Sequence, residues 1–169
     1  MRVITVLPYA ALVTLAVTAS AGLQQATAAS KPAASASVRS DSFDIPLAPG
    51  GDAKAGDELE FKVHMKAGAK LTYAWHVEGL NDPKAFYYDF HSEAPVPGQK
   101  EPKVAEHKKA IGASAKGVLI TPFTGIHGWY LQNQSTKPVV VKLKLSGVYD
   151  LIPDGQDGNE RGIEPTPKH

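Results

Sequence analysis

Four of the six histidines in this chain, His64, His76, His91 and His127, fall inside stretches of alternating polarity that read as β-strands. Imidazole is both a metal ligand and a side chain that titrates near neutral pH. Strands bring residues that are distant in sequence side by side. His76, His91 and His127 are therefore the candidate metal set, with Asp89 or Glu78 as an oxygen ligand, and such nitrogen and oxygen donors without thiolate suit Cu²⁺ or Zn²⁺. The competing reading is solvated strand histidines, or rings fixed by hydrogen bonds to backbone. No pair has a local H-x-H or H-x₃-H spacing, which keeps that reading open.

Aromatic residues offer a second chemistry. Tyr73, Trp75, Phe86, Tyr88 and Phe90 alternate as a core face would, whereas Tyr87 and Trp129 fall on the opposite parity to their neighbours. Those two could form a stacking platform for a sugar ring or a partner, or could pack against a covered face. Lys100, Lys103, His107, Lys108 and Lys109 are interleaved with Glu101 and Glu106 and read as a solvated loop rather than an anion site.

Signatures of catalysis are missing. There is no G-x-S-x-G, no H-E-x-x-H and no phosphate-cradling Walker sequence. His76-Val77-Glu78 and His91-Ser92-Glu93 match the H-x-E of zinc deaminases, but the P-C-x-x-C that completes that signature cannot occur in a chain without cysteine. The same absence excludes disulfides and thiolate metal sites. No catalytic residue is assigned, and the chain is expected not to be an enzyme. "DGQDGNERG" (154–162) lacks the alternating oxygen ligands and closing Glu of a calcium loop.

The elements that must position these residues follow from period-two patterning. Leu59, Phe61, Val63 and Met65 alternate with Glu58, Glu60, Lys62 and His64. Leu71, Tyr73, Trp75 and Val77 alternate with Thr72, Ala74 and His76, and Val139, Val141, Leu143 and Leu145 alternate with Lys142 and Lys144. Turn signals such as "GLNDP" separate the runs. Residues 92–116, rich in Lys and Pro, read as a loop of about 25 residues, functional or mobile. No helical period follows residue 30, so the expected fold is an all-β antiparallel β-sandwich of immunoglobulin-like or jelly-roll type.

The amino terminus carries only Arg2 before an apolar run from Val3 to Leu23 and small residues at Ala26 and Ala28. That reads as an export signal over 1–28, either cleaved after Ala28 or retained as a membrane anchor helix. Residues 29–42, Ala/Ser-rich, read as a linker, 43–150 as the domain, and 151–169 as an acidic flexible tail. The chain has 18 Lys and Arg against 17 Asp and Glu, so no basic face points to nucleic acid.

With "GDELEFKVHMKAGAKLTYAWHV", "FYYDFHSE" and "TPFTGIHGWYLQNQSTKPVVVKLKLSGVY" in this order, the chain resembles bacterial proteins described as transmembrane anchor proteins. The closing strands are similar in layout to those of GOLD-type domains, which are non-catalytic cargo or interaction modules. The resemblance covers residues 43–150. It departs from the family at Leu131, where an aromatic is usual, and at Ser92, where Gly is usual. It implies a membrane-tethered, GOLD-like β-sandwich in the periplasm that binds an envelope protein. Cu²⁺ or Zn²⁺ binding through the histidines, and carbohydrate binding through Tyr87 and Trp129, are the alternatives.

Overall fold

Period-two burial builds the molecule. The structure, a computed structural model, describes residues 37–51 and 55–167. The export or anchor segment at 1–28 and residues 29–36 of the expected linker lie outside them. The strands are β1 (Val38–Leu47), β2 (Glu58–Met65), β3 (Lys70–Glu78), β4 (Phe86–Ala94), β5 (Lys103–Ile111), β6 (Ser114–Ile120), β7 (Gly125–Asn133), β8 (Val139–Val148) and β9 (Asp150–Leu151). One 3₁₀ turn, Pro83–Ala85, precedes β4, and the Asp82 carboxylate caps it by accepting from the Lys84 N–H at 2.9 Å. No helix among the described residues is long and apolar enough to cross a membrane.

Two antiparallel sheets result, one ordered β1-β8-β3-β6 and the other β5-β4-β7-β2-β9. Their inner faces meet as the two layers of a sandwich. Phe43 of β1 lies against Phe61 of β2 at 4.8 Å between ring centroids, and Trp75 of β3 meets Tyr88 of β4 edge-on at 4.9 Å. Phe90 of β4 stacks on Trp129 of β7 at 4.6 Å. Each large side chain so buried contributes roughly 1.5–3 kcal/mol by leaving water. Trp129 is the keystone: truncation to Ala would remove contacts to Phe90 and to Tyr73, whose ring lies 5.1 Å away.

Three expectations need correction. The first strand begins at Val38, inside the expected linker, because its whole length from Val38 to Leu47 pairs with β8. Most of the expected 25-residue loop is strand: β5 pairs with β4 and the first half of β6 pairs with β3. Both are edge strands, where small residues and His107 cover the margin of the core, so no apolar alternation announces them.

Residues 151–167 are not a loose tail. Past β9, Gly158 C=O accepts the Lys62 N–H at 2.8 Å, and the buried Asn159 amide ties the turn together by donating to Ile152 O and accepting from Ile163 N–H. Arg161 then donates to the carbonyls of Pro46 and Gly56, and Thr166 N–H donates to Ser42 O at 2.7 Å. This segment therefore runs from the edge of one sheet to the edge of the other. Its satisfied polar groups are local and long-range backbone bonds, which an acidic composition does not reveal.

Candidate functional site

The outer face of the five-stranded sheet carries a charged cluster whose geometry follows from register. Gly128 of β7 pairs with Lys62 of β2 on one side and with His91 of β4 on the other. One pair along, Glu60 faces Tyr130, and in the other direction Glu93 faces Ile126. Strands β2 and β4 are next-but-one neighbours, about 9.5 Å apart. Their side chains meet because the residue between them has none. A Cβ at Gly128 would stand 2.1 Å from Phe61 O and 3.0 Å from Lys62 Cγ.

Lys62 fills that gap. Its side chain is wholly buried, and Nζ donates to Glu60 Oε2 at 2.5 Å and to Glu93 Oε2 at 2.8 Å. Burial works against its charge, but the two carboxylates outweigh burial and hold its pKa above the ordinary lysine value. Gly158 roofs the stem, with a Cβ there falling 2.8 Å from Lys62 Cβ; its φ of +84° also requires glycine.

The other oxygens of the same two carboxylates turn to His91. Nε2 lies 3.5 Å from Glu60 Oε1 and 3.3 Å from Glu93 Oε1, and the His91 side chain is 7% exposed. On its far side, Nδ1 lies 3.3 Å from Asp89 O and 3.4 Å from Asp89 Oδ1, which fixes the ring. Lys109 reaches the second Asp89 oxygen at 3.4 Å and also pairs with Glu106.

A second polar group lies inside the core. Ser92 and His127 are both fully buried, and Ser92 Oγ is 2.6 Å from His127 Nδ1 and 2.7 Å from His107 Nε2. The hydroxyl has one proton, so it donates to one ring and accepts an N–H from the other. Burial, then the neighbouring His107 and His64, push His127 down to about 4, and burial followed by His91 lowers His107. Both rings are neutral at physiological pH. The pairing of a hydroxyl with imidazole resembles a nucleophile with its base, but a sealed Ser92 meets no substrate.

The expected metal set does not assemble. His76 lies on the outer face of the four-stranded sheet, 60% exposed, 3.5 Å from Glu78. In the five-stranded sheet, His127 of β7 points into the core and His91 of β4 points out of the other face. Three histidines on three faces cannot share an ion with bonds near 2 Å: His76 is in the other layer, about 10 Å away, and His91 and His127 leave opposite faces of one sheet. Of the expected residues, His91 and Asp89 stay together. The stacking platform fails too: Trp129 is 1% exposed in the core, while Tyr87 lies on the outer face, edge-on to Tyr130 at 6.1 Å.

Sequence reading missed Glu60, Lys62 and Glu93 as partners of His91. Their position on polar strand faces was visible; the pairing through Gly128 was not, since one sequence does not specify which strands are neighbours.

Beside the cluster runs a groove of about 750 Å³. Glu93 forms part of its lining, with Pro95 and Val96 after β4, Ile126 of β7, and Leu151 and Ile152 of the folded-back segment. No protein-family model matches this chain, and no curated protein matches it.

Proposed function

We propose that this chain is a non-enzymatic binding or accessory module on the extracytoplasmic side of the bacterial envelope, its fold GOLD-like and its amino-terminal segment an export signal or membrane tether. The observation that carries the binding reading is the groove. Apolar side chains from the loop after β4, from β7 and from the carboxy-terminal segment line a concavity large enough for a short peptide or loop of a partner. The apolar amino terminus and the resemblance to transmembrane anchor proteins support the location. In the arrangement closest to a nucleophile and base, Ser92 and His127 are fully buried and His107 is half-buried at the edge of the sheet.

The test is affinity capture from detergent-solubilised bacterial envelopes with the full chain as bait, beside an Ile126→Glu variant that puts a charge in the groove wall. The expected result is an envelope protein recovered by the wild type and lost with the variant. Recovery of none, or recovery that ignores the substitution, contradicts the reading.

A further inference from the structure

We propose that Glu60, His91 and Glu93 form a divalent-metal site, suited to Zn²⁺, on the outer face of the five-stranded sheet. The site adjoins the groove through Glu93 but does not rest on the groove's being occupied. Three features of the geometry point to it.

The first is spacing. One ligand atom from each residue, His91 Nε2 and a carboxylate oxygen of each glutamate, lies within 4.8 Å of the others, and the two nitrogen to oxygen separations are 3.3 and 3.5 Å. Tetrahedral zinc with bonds of about 2.0–2.2 Å holds its ligand atoms about 3.3–3.6 Å apart. Those separations are too long for a good hydrogen bond and fit two ligands bonded to one ion.

The second is the buried imidazole. The His91 side chain is more than nine-tenths buried and aims Nε2 between two carboxylate oxygens, its contacts to Glu93 and Glu60 at 3.3 and 3.5 Å being ion-pair distances rather than short hydrogen bonds. Nε2 thus faces two carboxylate oxygens that one bound divalent ion would bring into a single coordination shell. Asp89 Oδ1 is itself sealed from solvent with no hydrogen bond, 3.4 Å from Nδ1, in the place of the carboxylate that orients a metal-bound histidine.

The third is the division of labour within each glutamate. Lys62 occupies the Oε2 atoms and leaves both Oε1 atoms turned to His91. The ammonium thus serves as an orienting partner behind the ligands rather than a competitor for their facing oxygens. Two glutamates and Asp89 balance a divalent ion and Lys62, while Lys109 is matched by Glu106. An imidazole in the set disfavours Ca²⁺ and Mg²⁺, which select oxygen. Three protein ligands leave a fourth position for water or for a donor from a partner.

The experiment is calorimetric titration of Zn²⁺ into the full chain in detergent, alongside His91→Ala, Glu60→Gln and His76→Ala, with thermal unfolding of each recorded with and without zinc. One zinc per chain is expected, with affinity at least about tenfold weaker in His91→Ala and Glu60→Gln and unchanged in His76→Ala. Zinc should raise the unfolding midpoint of the wild type and of His76→Ala but not that of His91→Ala. No zinc binding, or binding that His91→Ala leaves intact, overturns the proposal. Should the site variants not fold, Co²⁺ added to the wild type decides: visible absorption of four-coordinate intensity is expected, and the weak spectrum of six-coordinate cobalt overturns it.

Discussion

Lys62 and His91 face each other across Gly128, on strands that do not touch, and the absent side chain at Gly128 lets both reach the same pair of glutamates. A buried ammonium and a buried imidazole thereby share Glu60 and Glu93, one oxygen each. This single row of the sheet explains why the glycine of "HGWY" is where it is.

Gly128→Ala should therefore be among the most damaging small substitutions in the domain. The added carbon meets the Phe61 carbonyl, a backbone atom that the sheet holds in place. A loss of about 3 kcal/mol or more in urea unfolding is expected, the scale of overpacking in a rigid core. Gly68→Ala is the comparison: its φ of +75° costs an alanine roughly 1–2 kcal/mol, but nothing lies within 4 Å. Equal effects at the two sites would show that close approach at Gly128 is unimportant.

Replacing Lys62 by Met leaves two carboxylates facing each other without their cation. Both glutamates retain partial exposure, so water recovers part of the loss, and destabilisation of roughly 2–3 kcal/mol is expected, below the range for fully buried pairs. Chemical denaturation at pH 7 measures it. The Lys62→Met, Glu60→Gln double variant should recover part of that loss, and strict additivity would argue that the pair is not coupled.

Acid should weaken the fold through His127. Its folded pKa of about 4 lies below the unfolded value near 6.5, so the unfolded chain takes up a proton that the native core refuses. The contribution is complete above about pH 6.5 and is lost as pH falls toward 4, about 3 kcal/mol over that window. Urea midpoints of the wild type and of His127→Gln, measured from pH 7 to 4, check this: the variant should show a shallower decline. Parallel curves would assign the acid sensitivity to other groups.

The carboxy-terminal segment should behave as part of the domain. Asn159→Ala removes the amide that donates to Ile152 O and accepts from Ile163 N–H inside a buried turn, and about 2 kcal/mol of stability should go with it. Amide exchange at Lys62, whose N–H bonds to Gly158 O, should accelerate in the same variant. Unchanged protection at Lys62 would separate the turn from the site it covers.

The strands with clean alternation, such as β2 with Leu59, Phe61, Val63 and Met65 inside, are legible in the sequence because one face of each is core and the other is not. The edge strand β5 is not legible: its inward residues are Ala105, His107 and Ala110, and a register shift opposite Phe90/His91 breaks its period. At the site, His91 and Asp89 could be named because they share a strand face two residues apart. Their union with Glu60 and Lys62 depends on which strands are neighbours in space, a property of topology that local patterning does not encode. The same ignorance of topology placed His76 and His127 with His91, although the layers hold them on different faces.

The most direct test of the site is the nitrogen chemical shift of each histidine ring followed by two-dimensional NMR while Zn²⁺ is added to the full chain. His91 Nε2 is expected to move to a metal-bound shift at one equivalent, with its proton on Nδ1 beside Asp89, while the rings of His76 and His127 stay where they were. A His91 ring that does not respond, or a first equivalent of zinc taken by another histidine, would contradict the proposed site.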